Sequence, residues 1–204
     1  MKDKQQEILN VAEKLFETKG FDGTSVRDIA KEANVNVAMI SYYFGSKEKM
    51  LETLFETRLD NFKIDEDLIF NKDNSIFTSL ENLVFIYIKT MNENAGIYNI
   101  LSVEGGIKKR LLNSNSFLKV KKYNLNLINQ VIEKGQQEGV FNKNVSTVLV
   151  HATMMGTFMN FRMNRPFLQD ILMIKTDEAY DNYIENQLAD HIHKTIKALL
   201  IYED

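Results

Sequence analysis

Val37, Ala38, Ser41 and Tyr42 fall on one side of a short helical stretch whose other side carries Ile40 and Phe44. Small residues let a backbone come close to base edges, and Val37 and Ala38 suit the methyl groups of thymine. Ser41 and Tyr42 add hydroxyls that can bond to bases or phosphates. Lys47 stands where the next helix starts, so its ammonium and the free amides there form an expected anion site. No other stretch offers comparable chemistry. His191 and His193 lie roughly 200° apart around a helix and cannot share a metal ion. His151 sits in an apolar run and reads as a buried, hydrogen-bonded side chain. There is no cysteine, which excludes disulfides, thiolate zinc sites, iron–sulfur clusters and thiol nucleophiles. The metalloprotease, phosphate-loop, serine-elbow and dinucleotide fingerprints are also missing. The expectation is a non-enzyme with no metal and no cofactor. Lys108, Lys109 and Arg110, like Lys119, Lys121 and Lys122, read as solvated faces.

The residues around this stretch are of the kind that would hold it in place. An amphipathic helix over 5–19 carries Ile8, Ala12, Leu15 and Phe16 inward and ends at Gly20, which accepts a left-handed backbone. Thr24 or Ser25 can cap a second helix, with Val26, Ile29, Ala30 and Ala33 inward and Arg27, Asp28 and Lys31 outward. Asn34 tolerates a left-handed turn, and Asn36 can cap a third helix over 37–44 that Gly45 stops. Two short helices joined by a tight turn form a helix-turn-helix. In the nucleic-acid-binding use of that motif the second helix enters the major groove. Ser46 then caps a fourth helix running to about residue 62.

One proline and nine glycines in 204 residues, with 44% hydrophobic content, predict an all-α chain. Residues 63–74 read as a break. Helices follow over 75–93, 96–103, 116–138, 145–164 and about 177–201, with a possible turn at Lys108–Leu112. Gly105-Gly106 interrupts this series, and Pro166 closes or breaks the helix before it. The longest apolar run, Leu83 to Ile88, is far short of the ~20 residues of a membrane span. The charged start, Lys2 to Glu7, predicts no signal peptide and a cytoplasmic protein. The net charge is −3, and the first fifty residues hold eight basic and eight acidic side chains. A nonspecific DNA coater would be more basic, so a few placed contacts are expected instead.

Ile8-Leu9-Asn10-Val11-Ala12-Glu13-Lys14-Leu15-Phe16, Lys19-Gly20-Phe21, Thr24-Ser25-Val26-Arg27-Asp28-Ile29-Ala30, Ala33-Asn34-Val35 and Ile40-Ser41-Tyr42-Tyr43-Phe44-Gly45-Ser46-Lys47-Glu48 together resemble the TetR family of bacterial transcription regulators. The match spans about the first quarter of the chain. The resemblance implies a helix-turn-helix three-helix domain over residues 1–46, a connecting helix at about 46–62, and a larger helical ligand-binding and dimerisation domain over 63–204. It places phosphate contacts at Ser25, Met39, Tyr43 and Lys47, and base reading at Arg27, Val37, Ala38, Ser41 and Tyr42. Where the family often has Gly, this chain has Asn34, and Val37 and Ala38 replace its frequent Lys or Gly. Met39 lacks the hydroxyl that the family often has there.

The expected function is a homodimeric repressor that leaves a palindromic double-stranded DNA operator when a small apolar or aromatic effector binds. Phe77, Tyr87, Met91, Tyr98, His151, Met155 and Phe158 are the expected pocket lining, and by the resemblance a pocket lies among them. The dimer interface is expected at Gly156, which permits close helix approach, and along the stripe Ile184, Leu188, Ile192, Ile196 and Leu199. An effector-independent DNA-binding factor or activator is the second reading. A helical ligand carrier or enzyme is the third, weakened by the lack of any acid–base constellation.

Overall fold

The computed structural model describes residues 2–71, 74–101, 103–104 and 115–201, and all regular structure among them is helical. The first helices are α1 (Lys2–Gly23), α2 (Val26–Glu32), α3 (Val37–Phe44) and α4 (Lys47–Arg58), the last running into a 3-10 turn, Leu59–Phe62. Next come α5 (Glu66–Ile69), α6 (Ile76–Glu93), α7 (Ala95–Leu101) and α8 (Asn115–Gln137). The chain continues with α9 (Thr147–Met163), α10 (Arg165–Ile171), α11 (Asp177–Tyr183) and α12 (Ala189–Ile201). Gly105-Gly106, the turn expected at Lys108–Leu112 and the basic run Lys108-Lys109-Arg110 lie outside the described residues. No described helix is long and apolar enough to cross a membrane.

Two compact units share the chain. The first joins Met1–Phe62 to Asn94–Val120, and the second joins Lys63–Glu93 to Lys121–Asp204. The sequence reading put everything after residue 63 into one domain, whereas α7 packs on α1. Gly96 of α7 lies at this contact, where an added Cβ would stand 2.7 Å from the carboxylate of exposed Glu17, a flexible side-chain end that can move aside.

The core of the first unit is Ile8, Leu9, Ala12 and Phe16 of α1, Ile29 and Ala30 of α2, Ile40 and Phe44 of α3, and Met50, Leu51, Leu54 and Phe55 of α4. Each of the large side chains among them contributes about 1.5–3 kcal/mol on burial. Gly20 breaks α1 with φ +73°, Asn34 takes φ +50° in the turn between α2 and α3, and Gly45 ends α3 with φ +77°.

In the second unit α6 is the central element. It packs on α5, α12 and the π turn Ile184–Leu188 that links α11 to α12. Leu80, Leu83, Val84, Tyr87, Ile88 and Met91 of α6 are buried. Two expectations are corrected here. Pro166 does not close a helix but sits in the first turn of α10, where its missing N–H has no intrahelical acceptor to lose. Ile184, Leu188, Ile192 and Ile196 are not a surface stripe. They are at most 3% exposed within the single chain, on the elements that pack against α6.

Candidate nucleic-acid interface

Helices α2, α3 and α4 are each started by a side chain next to them in sequence. The Ser25 hydroxyl accepts the Asp28 amide at 3.1 Å and donates to the Asp28 carboxylate at 2.6 Å. The Ser25 amide donates to the same carboxylate at 2.9 Å, completing a reciprocal capping box. These hydrogen bonds hold the Asp28 carboxyl below the usual carboxylate range. The Asn36 side chain accepts the Ala38 amide at 2.9 Å to start α3, and Ser46 accepts the Lys49 amide at 3.1 Å to start α4.

With Ile40 and Phe44 buried, α3 is anchored on one side. Its opposite side offers Val37, Ala38, Ser41 and Tyr42, all exposed, with Tyr42 at 77%. Positions 38, 41 and 42 share one helical face. The Tyr42 and Tyr43 rings meet edge-on with centroids 5.3 Å apart. Arg27 is exposed on α2, and its guanidinium makes no hydrogen bond or ion pair with any described residue. Met39 and Tyr43 are half-buried. This is a short, uncharged helix face, with one free guanidinium on the neighbouring helix α2.

Two residues matched to phosphate contacts are already engaged within the chain. The Ser25 hydroxyl gives its proton to Asp28, whose negative charge would face an incoming phosphate. The Lys47 ammonium donates to the carbonyls of Phe21 at 2.8 Å and Thr24 at 2.7 Å and lies 4.3 Å from the Phe21 ring centroid. Sequence reasoning missed Thr24 in this role. It is buried and donates to the carbonyls of Leu15 and Gly20 at 3.1 and 2.8 Å. Arg58 was missed as well. It reaches the Glu13 carboxylate at 2.8 Å and Asn10 at 2.6 Å. Its place in the last turn of α4, facing acidic α1, was the available signal.

The expected pocket residues do not form one group. Tyr98 belongs to the first unit, with its ring centroid 6.1 Å from that of Phe62. Phe77 lies against Phe141 and under Lys197, about 15 Å along α6 from Tyr87 at 1.5 Å per residue. Tyr87 and His151 do meet, Oη to Nε2 at 2.9 Å. Met91, Met155 and Phe158 continue the same helices and are buried. Burial, then the Lys121 charge, push the His151 pKa down. A groove of about 530 Å³ opens elsewhere in this unit, lined by Val145, Leu149, Thr195, Ala198 and Leu199 among others. Gly156 is exposed on α9, and a Cβ there would meet nothing within 4 Å.

A family model described as bacterial regulatory proteins of the tetR family matches residues 8–54, and one described as the tetracyclin repressor-like C-terminal domain matches residues 78–196. A probable HTH-type transcriptional regulator of Bacillus subtilis, YttP, is 36% identical over 138 residues, which is 66% of this chain and 65% of that protein. The biofilm operon icaADBC HTH-type negative transcriptional regulator IcaR of Staphylococcus aureus is 34% identical over 93 residues, 46% of this chain and 48% of its own length. Among solved structures, the ketosteroid transcriptional regulator KstR2 of Mycobacterium tuberculosis superposes with a TM-score of 0.70 at 21% identity, covering 98% of this chain and 95% of that one.

Proposed function

This chain belongs to the TetR family of DNA-binding transcriptional regulators, and from that premise we propose that it is a homodimeric repressor released from a palindromic operator by a small, mostly apolar effector. The exposed α3 face of Val37, Ala38, Ser41 and Tyr42 carries this reading, because the opposite side of the helix, with Ile40 and Phe44, is buried in the core and leaves this face open. Its small residues meet thymine methyls, Tyr42, Ser41 and Arg27 bond to base edges, and the Tyr43 hydroxyl bonds to a flanking phosphate. The negative-regulator role of IcaR favours repression.

The dimer rests on α9. Its solvent side shows Leu149, Ala152, Thr153, Gly156, Asn160 and Met163, with no charged residue among them. Leu199 of α12 adds to the same kind of surface at 50% exposure. Helices free of charge on their outer side are covered by another chain far more often than by water. A homodimer reading a palindromic operator would present its two α3 helices about 34–36 Å apart, one turn of DNA, or a multiple of that. The effector's polar anchor is the Tyr87–His151 pair, set among methionine and aromatic side chains that can repack around an apolar body.

The deciding experiment titrates the full chain against a duplex from its own upstream region and against a duplex of scrambled sequence, at two salt concentrations. A preference of at least roughly 10³-fold for the first, as specific binders show, supports the reading. Equal affinity for both duplexes overturns it. Sedimentation at micromolar concentration tests the dimer, and a monomer there removes that part.

A further inference from the structure

We propose that α10 is a docking knob for a second copy of this chain, its apolar face seated in the groove that the other copy forms between the start of its α9 and the end of its α12. The proposal rests on the dimer reading above and adds where the two copies grip each other outside the α9 surface. Phe167 and Ile171 are 65% and 61% exposed and lie one turn apart on one face of α10. Met173, 85% exposed, follows directly. It holds φ +56°, a left-handed conformation that a bulky side chain adopts only at a cost. No residue of α10 is buried within the single chain. The segment is nevertheless braced. Arg165 bonds to Asp177 at 2.8 Å and lies over the Tyr180 ring, and the Ile174 amide closes the end of α10 on the Gln169 carbonyl at 2.9 Å. An apolar face fixed in place and left in water marks a binding surface.

The groove is equally well built. It holds about 530 Å³ and is lined by Val145, Leu149, Ala198 and Leu199 among others. The Asn142 amide donates to the Leu200 carbonyl at 2.7 Å, and the Gln136 side chain donates to the Asn142 carbonyl at 2.9 Å, so its edge is held without an occupant. Within one chain the length of α9 from Leu149 to Met163, about 21 Å, keeps knob and groove apart. Three observations make a second copy the occupant. The first is symmetry. Leu149, Gly156 and Met163 follow at seven-residue steps on the outer face of α9, and Gly156 has no side chain to hold another helix off. A twofold axis at that point sets the stretch about 10 Å beyond Gly156 on one copy against the stretch about 10 Å before it on the other. The start of α10 then meets the groove of the second copy, and the contact repeats in reverse. The second is area. A strip of α9 about 25 Å long and 10 Å wide covers roughly 250 Å², well under the ~800 Å² per partner of a stable interface. The third is charge. Asp170 on α10 and Lys143, between the groove residues Asn142 and Asn144, are both exposed, and neither side chain pairs with any described residue. Docking brings the carboxylate to the ammonium.

The experiment uses the full chain, which has no native cysteine. Lys143→Cys and Asp170→Cys are made separately and oxidised, each alone and after mixing to exchange subunits. The expected result is a disulfide-linked dimer from the mixture and none from either variant alone, because the bond needs Cα atoms within about 7 Å. By sedimentation over a concentration series, Phe167→Asp should raise the dimer dissociation constant roughly tenfold or more with helix content unchanged. Asp170→Lys should raise it several-fold, and adding Lys143→Asp should bring it back. Either cysteine variant linking to itself as readily as the mixture overturns the proposal. An unchanged dissociation constant for Phe167→Asp also overturns it, and leaves α10 to a different partner or the groove to a small molecule. If Phe167→Asp does not fold, the cysteine arm decides alone. A dimer that gives no mixed link overturns the knob and keeps the dimer reading, whereas a monomer at every concentration removes both.

Discussion

In the first unit Ser25, Asn36 and Ser46 each cap the helix that follows within three residues. In the second, Arg162 bonds to Asn92 across 70 positions and to Asp181 at 2.9 Å, and Asn92 passes the connection to Glu185 in the π turn. The first unit adds to these local caps the links of Lys47 to Phe21 and Thr24 and of Arg58 to Glu13 and Asn10, and the side chains of the exposed α3 face take part in neither. The second unit is cross-linked, so α6, α9 and α11 move together or break several bonds at once. A reader of DNA needs the first property. A body that changes state as a whole needs the second, because packed cores have discrete arrangements and do not deform smoothly.

The sharpest test of this contrast places one cavity in each unit. Phe44→Ala and Phe158→Ala should each cost about 3–5 kcal/mol, since both side chains are buried. Calorimetry should show Phe44→Ala lowering one transition and Phe158→Ala another. A single transition shifted equally by both would mean the units are one thermodynamic body. Next in size, Tyr42→Ala should leave the melting temperature unchanged and cost about 1–3 kcal/mol of binding at particular base pairs, read by comparing operator variants. An equal loss on every sequence would move Tyr42 from base reading to the backbone.

Ser25→Ala should cost about 1 kcal/mol through the lost cap. Because the Asp28 carboxyl is held below its ordinary range by Ser25, its contribution is present above the unfolded-state pKa and disappears as acid protonates the folded carboxylate. The variant should therefore lose less stability than the parent as the pH falls below about 4, measured by denaturant titration. The smallest effect belongs to His151. Its folded pKa is lowered, so the unfolded chain takes up a proton first, and stability falls as pH drops below about 6.5. His151→Gln should flatten that dependence of the second unit and leave the first unchanged.

Short-range chemistry was legible in the sequence. Gly20, Asn34, Gly45 and the caps at Ser25 and Asn36 act within a few residues, so their side chains alone announce the turns. The α3 face followed from the spacing of Ile40 and Phe44. What the sequence did not reveal depended on partners distant in the chain. Nothing near Lys47 in sequence points to Phe21 and Thr24 as its acceptors. An apolar stripe at 184, 188, 192 and 196 reads the same whether it faces α6 or a second copy, and here it faces α6. Pro166 could end one helix or begin the next, and only the position of Asn164, which both ends α9 and precedes α10, decides between them.

The packing of α7 on α1 also has a bearing on how the chain is made. The helix-turn-helix leaves the ribosome before the helix that completes its unit, since Ala95–Leu101 is still unsynthesised when Phe62 appears. At ~5–20 residues per second the stretch between them takes roughly 2–8 s, long beside the microseconds in which short helices form. During that interval the α1 surface that α7 will cover faces the solvent. A nascent reading head is thus folded enough to have its shape and not yet finished, and completing it requires α6 to be synthesised first.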